Sequence, residues 1–139
     1  MVILNPEYLA EIARQLAFVS AFLGGFAATF LATLLFVNSP KKAAGWAIAG
    51  ASFSASAFIV AVIALIMLVV NLNPEALSVS ESSLLAARVV GMLSFMAGAY
   101  SLLASIGISG WLRSRKTGLA TSIPAGMAAL LITWAITGF

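Results

Sequence analysis

Residues 43–70 read AAGWAIAGASFSASAFIVAVIALIMLVV, a run without a single charged side chain. As an α-helix this run is about 42 Å long, because each residue adds about 1.5 Å along the axis. The hydrocarbon core of a bilayer is about 30 Å thick and is crossed by about 20 apolar residues. The run therefore predicts a transmembrane helix that is long enough to tilt or to extend into the headgroup region.

One apolar stretch precedes this run and two follow it, and each is also long enough to cross a bilayer as a helix. We number the four spans along the chain: 16–37, 43–70, 89–111 and 119–139. Their connectors are short, and short connectors favour antiparallel neighbours. The sequence thus predicts an all-α integral membrane protein, in which residues 1–139 form a single domain built as an up-down bundle of four transmembrane helices.

The composition of the chain points to the same class. Of its 139 residues 63% are hydrophobic and 8% are charged, and the mean hydropathy is +1.13. A soluble domain has about 45–50% apolar and about 25% charged residues, so this chain lacks the polar residues to cover a soluble surface. It also contains no His, Cys or Asp. This excludes disulfides, Cys- or His-ligated metals and haem, and Cys- or His-dependent catalysis. We therefore expect no enzymatic activity, no metal and no cofactor.

The basic residues predict the orientation of the chain in the membrane. Five of the seven lie in the connectors between spans 1 and 2 and between spans 3 and 4: Lys41, Lys42, Arg113, Arg115 and Lys116. An excess of Lys and Arg marks cytoplasmic connectors, so both termini are predicted to lie on the non-cytoplasmic side of a multi-pass protein. Two short basic connectors do not make a nucleic-acid surface. The predicted partners are the lipid bilayer and further membrane subunits, either copies of this chain or other proteins.

A short motif recurs in the two halves of the chain. NPEYL at residues 5–9 returns as NPEAL at residues 73–77, and each copy is typical of a helix start, with Asn as the cap, Pro in the first position and Glu in the first turn. Further matches recur at a separation of 74 residues: Ala13-Arg14 with Ala87-Arg88, Ser20 with Ser94, and Gly24 with Gly98. Two interpretations remain open. The halves are two tandem helical hairpins, or they are unrelated helices that share small residues and a common capping pattern.

Small residues mark the candidate packing faces, because lipid offers apolar helices little reason to associate unless their backbones can approach closely. Such residues recur every three or four positions in spans 1, 2 and 3. In span 2 they include Gly50, Ser54 and Ala57, and the candidates in spans 1 and 3 are Ser20, Gly24, Ser94, Gly98, Ser101 and Ser105. Ser101 and Ser105 are also candidates for the lining of a pore, together with four other hydroxyl residues: Thr29, Thr33, Ser52 and Ser56. The alternative is that these hydroxyls bond to their own or a neighbouring helix.

Two further features are candidates for function. Arg14 and Arg88 lie at the outer ends of spans 1 and 3 near acidic residues, where they predict either a charged pore mouth or interfacial anchors. Glu11 precedes Arg14 by three residues, so the two are expected to pair. Pro124 interrupts span 4 near its start, and it predicts either the entry turn of that helix or a hinge within it.

The predicted function follows from the absence of charge at membrane depth. Every ionisable residue other than Tyr100 lies at or near the end of a span, which argues against a proton-coupled transporter. We expect a non-catalytic packing subunit of a homo- or hetero-oligomeric membrane complex. The alternative is an oligomeric channel for ions or small solutes, lined by the Ser and Thr faces.

Overall fold

The computed structural model describes residues 5–73 and 81–138 and shows an all-α chain. A short 3-10 turn, Gly110–Leu112, directly follows the third of four long helices. Each long helix is apolar enough to cross a membrane, which confirms the predicted fold class. The helices are α1 (Pro6–Leu35), α2 (Lys42–Asn71), α3 (Glu81–Ser109) and α4 (Arg115–Thr137).

Helices α1, α3 and α4 begin before the predicted spans, and in α1 and α4 a capping side chain marks the start. The side chain of Asn5 accepts a hydrogen bond of 3.1 Å from the Glu7 amide, and Pro6 occupies the first position of α1, as the NPE motif predicts. Ser114 caps α4 in the same way, accepting 3.1 Å from the Thr117 amide. The second copy of the motif cannot be compared, because residues 74–77 lie outside the described residues.

The helices run up and down in turn, as their cross-contacts show. Along α2 and α3 the hydrogen-bonded pairs run in opposite directions, with Ser54 bonded to Gly98 and Ala47 bonded to Ser105. At one end of the molecule the Lys41 ammonium donates to the Leu112 carbonyl over 3.0 Å. This bond brings the two basic connectors together, so all five of their cations lie at the same end.

The centre of the fold is α2, which packs against α1 on one side and α3 on the other. Phe58 is fully buried between them. A Cβ atom placed on Gly24 of α1 would lie 3.1 Å from the Phe58 Cβ, and one on Gly98 of α3 would lie 3.2 Å from the Phe58 ring. The two glycines that match at a separation of 74 residues therefore pack on the same side chain. The tandem-hairpin interpretation stays a prediction.

The fourth helix is attached along one side only. Within the described residues no Cα atom of α4 lies within 8 Å of one in α1 or α2, so α4 packs on α3 and its 3-10 turn alone. The contact is closest beside the connector, where a Cβ on Gly110 would lie 2.7 Å from the Thr117 carbonyl and one on Gly118 would overlap the Trp111 ring. The up-down bundle is therefore open at α4.

Candidate functional site

The predicted serines of span 3 lie in the contact between α2 and α3. Ser101 Oγ donates to the Gly50 carbonyl over 2.8 Å, and Ser105 Oγ donates to the Ala47 carbonyl over 2.6 Å. Both carbonyls belong to residues with little or no side chain, so a neighbouring hydroxyl can reach them. The two serines therefore join helices within one chain.

Ser54 adds a third hydrogen bond to this contact, and here the donor lies on α2 and the acceptor on α3. It is fully buried and donates to the Gly98 carbonyl over 2.8 Å. The small-residue spacing of span 2 placed Ser54 on a packing face and left Ser52 among the pore candidates, and Ser52 is exposed. The spacing did not give the acceptor, the Gly98 carbonyl, which can be identified only once the two helices are in register.

The remaining packing candidates divide between buried and partly open positions. Ser20 is fully buried in α1 and donates to the Leu16 carbonyl of its own helix over 2.7 Å. Gly24, one turn further, contacts Phe58. Ser94 of α3 is half-buried and lines a shallow cleft against α2.

The other hydroxyl candidates lie on the outside of the chain. Thr29 donates to the Gly25 carbonyl over 2.9 Å, and Thr33 donates to the Thr29 carbonyl over 3.0 Å. On α2, Ser56 donates in the same way to the Ser52 carbonyl over 3.0 Å. Each donor is exposed, and its proton is bonded one turn back within its own helix. In the described part of the chain no buried side-chain nitrogen or oxygen lacks a partner.

Among the described residues, the outer charged side chains form one ion pair. Arg14 Nη1 lies 2.8 Å from Glu11 Oε2 on the exposed face of α1, as the spacing predicts. Arg88 of α3 borders a small cleft of about 120 Å³ that is otherwise lined by apolar residues of α1, α2 and α3. Glu75, the remaining acid of this end, lies outside the described residues. Among those described, no three acidic side chains come close enough together to hold a metal ion.

A groove of about 380 Å³ runs between α1 and α2 on the outside of the molecule. Its α1 side is built from small residues, Ala21, Gly24, Gly25 and Ala28, and its α2 side consists mainly of larger aliphatic residues. A Cβ atom added at Gly25 would meet no atom within 4 Å. The backbone of α1 is therefore open to close approach from outside.

A second groove, of about 410 Å³, separates α3 from α4. The indole of Trp111 donates to Ser122 Oγ over 2.9 Å at the end beside the basic connector. Deeper in the groove, the hydroxyl of Tyr100 lies 2.7 Å from Thr133 Oγ1 of α4. The remaining lining is apolar and consists of Leu103, Ala104, Gly107, Ile108, Ala125, Gly126 and Ala129.

Pro124 lies within α4, nine residues after its start at Arg115. The interpretation of Pro124 as the entry turn is therefore wrong. A proline inside a helix has no amide proton to bond the carbonyl four residues earlier, here that of Ala120. Sequence reasoning took the apolar stretch as the whole helix, whereas the Ser114 cap starts it one turn earlier.

No protein-family model matches the chain, and no curated protein or solved structure matches it either. The fold itself defines the class, a multi-pass membrane protein with four transmembrane helices. Any more specific function therefore rests on the two grooves, the exposed hydroxyls and the separation of charge between the ends of the molecule.

Proposed function

We propose that this chain is a non-catalytic membrane subunit that packs within the bilayer against further copies of itself or against other membrane proteins. The observation that carries the proposal is the groove between α1 and α2, where small residues leave the α1 backbone uncovered. Helices in lipid associate through close backbone approach and van der Waals contact, which small residues permit.

The α1 helix has two faces of small residues, and only one is occupied. The inner face, which includes Ala13, Ala17 and Ala27, is buried against α2. The second face is exposed and consists of Ala21, Gly25, Ala28 and Ala32. A helix from a partner that lies in the groove would contact this second face as closely as α2 contacts the first.

The test compares one substitution at two open glycines. In both Gly25→Leu and Gly45→Leu the new side chain starts where no atom lies within 4 Å, so neither change overpacks the chain itself. Native mass measurement in mild detergent should show an oligomer or a complex for the wild type and for Gly45→Leu. Gly25→Leu should release the monomer. A wild-type protein that is a lone monomer without partner would overturn the proposal.

We further propose that the basic connectors face the cytoplasm and both termini face the opposite side. The Lys41 bond to Leu112 supports this, because it unites both basic connectors at one end. The chain has no native cysteine, so a single introduced thiol reports one position. In intact cells an impermeant thiol reagent should label Ser82→Cys and leave Ser39→Cys unlabelled. The reverse pattern would invert the topology.

An oligomeric channel is the alternative, and the exposure of Thr29, Thr33, Ser52 and Ser56 favours it. Hydroxyls that donate to their own helix keep lone pairs that can accept hydrogen bonds from water or coordinate a cation. Solute flux into liposomes should then depend on the pair Thr29→Val and Thr33→Val, which removes hydroxyls at nearly constant volume. Absence of flux with correctly folded wild-type protein would dispose of the channel.

A further inference from the structure

The basic end of the molecule carries uncompensated positive charge. Arg113, Arg115 and Lys116 are exposed, and within the described residues none has an acidic partner. The described acids, Glu7, Glu11 and Glu81, all lie at the opposite end of the helices. Lys41 is occupied by the carbonyls of the 3-10 turn. The remaining cations therefore make one end of the protein an attractor for anions.

The groove between α3 and α4 begins directly below this charge. Ser122, at its upper end, lies seven residues from Arg115, about 10 Å along α4. Ala129, at its lower end, lies another seven residues away, about 10 Å further. The sum is about 20 Å, which is half of the roughly 40–45 Å that separate the two surfaces of a bilayer. The charge and the groove therefore lie at the headgroup and acyl levels of one leaflet.

The lining of the groove suits a hydrocarbon chain. Gly107 and Ala125 pack closely at its floor, Gly126 borders open space, and the polar groups near its upper end are already bonded. Trp111 is 40% exposed at the boundary between the groove and the connector, the depth at which indole rings favour the membrane interface.

We propose that this groove and the basic end together bind an anionic glycerophospholipid. One acyl chain lies between α3 and α4, and the phosphate lies against Arg113, Arg115 and Lys116. Lys and Arg residues next to a membrane span attract anionic headgroups, and basic pockets between helices hold them.

Charge complementarity selects a lipid over a second copy of this chain as the occupant. Unlike the groove between α1 and α2, this groove adjoins the basic connector, so a second copy with the same topology seated in it would bring its own basic end against Arg113, Arg115 and Lys116. Like charges would then face each other where no acid is available to separate them. An anionic headgroup neutralises the cluster instead.

The first experiment measures lipid retention by native mass spectrometry of the purified protein in mild detergent. The probes are phosphatidylglycerol and phosphatidylcholine with identical acyl chains. The wild type should retain phosphatidylglycerol preferentially. The variant Arg113→Gln/Arg115→Gln/Lys116→Gln should lose at least about tenfold of that preference, since each basic residue near the surface contributes several-fold. The control Arg14→Gln/Arg88→Gln removes charge from the other end and should keep the preference.

The second experiment blocks the groove. A Cβ atom added at Gly126 would meet no atom within 4 Å, so Gly126→Leu projects a side chain into the groove, and it should reduce retention of both lipids. Gly45→Leu, equally open but on α2, should leave retention unchanged. Equal retention of the two lipids by the wild type, or undiminished retention by Gly126→Leu, would overturn the proposal. Displacement of the lipid by inorganic phosphate would also overturn the proposal. A wild-type dimer that excludes lipid, and that dissociates in the Gly126→Leu variant, would do the same.

Discussion

The helices α2 and α4 differ in how much of their surface is covered by the rest of the protein. In its most apolar window α2 has a mean hydropathy of 2.8 and is 33% buried, whereas α4 has a mean hydropathy of 1.7 and far fewer buried residues. The more apolar helix is thus the one with two neighbours. Hydropathy identifies both as spans, but it does not tell which of them lies within protein and which lies against lipid.

The difference lies in what each helix offers at its surface. Along α2, buried small residues recur at Ala47, Ala51, Ser54 and Ala61, so that α1 and α3 can both approach. In α4 the buried residues are Gly118 and Ala125 alone, and both lie in the half next to the basic connector. The remainder of α4 is half-buried or exposed. Small residues in register with a neighbour, more than apolar character, therefore decide burial here.

The largest expected effect tests the centre of α2. Phe58→Ala removes the fully buried ring between α1 and α3 and leaves a cavity, which should lower the free energy of unfolding by about 3–5 kcal/mol. Phe22→Ala makes the same change on the 70% exposed face of α1 and should have little effect. Unfolding in mild detergent measures both. Equal losses would mean that α2 is not the core.

The next effect tests how closely α3 approaches α2. Gly98→Leu places a branched side chain against the Phe58 ring and should destabilise the protein by about 1–3 kcal/mol. Leu93→Ala, on the 65% exposed face of α3, should be nearly neutral. Thermal melting of both variants decides between the faces. A silent Gly98→Leu together with a disruptive Leu93→Ala would reverse the assignment.

A smaller effect compares single hydroxyl bonds in the two regions. Ser54→Ala removes the hydroxyl that donates to the buried Gly98 carbonyl and should lower the free energy of unfolding by about 0.6 kcal/mol, with an upper bound of about 1.7 kcal/mol. Thr133→Val removes the hydroxyl that faces Tyr100 between α3 and α4, an exposed contact, and should lower it by less. Chemical unfolding of the two variants shows which one loses more free energy of unfolding. The opposite order would place α4 in a tighter contact than α2.

The smallest effect tests the outer face of α4. Leu130 is 72% exposed, so Leu130→Ala should change the free energy of unfolding of the isolated chain by less than about 0.5 kcal/mol. Leu65→Ala on α2, where the side chain is 1% exposed, is the matched comparison and should be far more damaging. The measurement is the same unfolding experiment. A large loss at Leu130 would contradict the exposure of this face of α4 within the chain.

Local chemistry made much of the fold predictable from the sequence. Long apolar runs allow only helices in a bilayer, because each backbone amide must find its partner within the segment. The Asn5 cap and the Glu11–Arg14 pair also followed from spacing alone, since their partners lie within one helical turn. The clustering of Lys and Arg in two connectors predicted the basic end, and the bond from Lys41 to Leu112 joins those connectors.

The tertiary structure alone decided which residues meet. Ser52 and Ser54 have the same chemistry and neighbouring positions, yet only Ser54 faces a glycine carbonyl on α3. Phe53 and Phe58 lie in one apolar run, yet the first is 57% exposed and the second is fully buried. The physical reason is that lipid and protein interior are equally apolar to a side chain. The choice between them depends on how closely two backbones can approach, and this is a property of pairs of helices that no single segment contains.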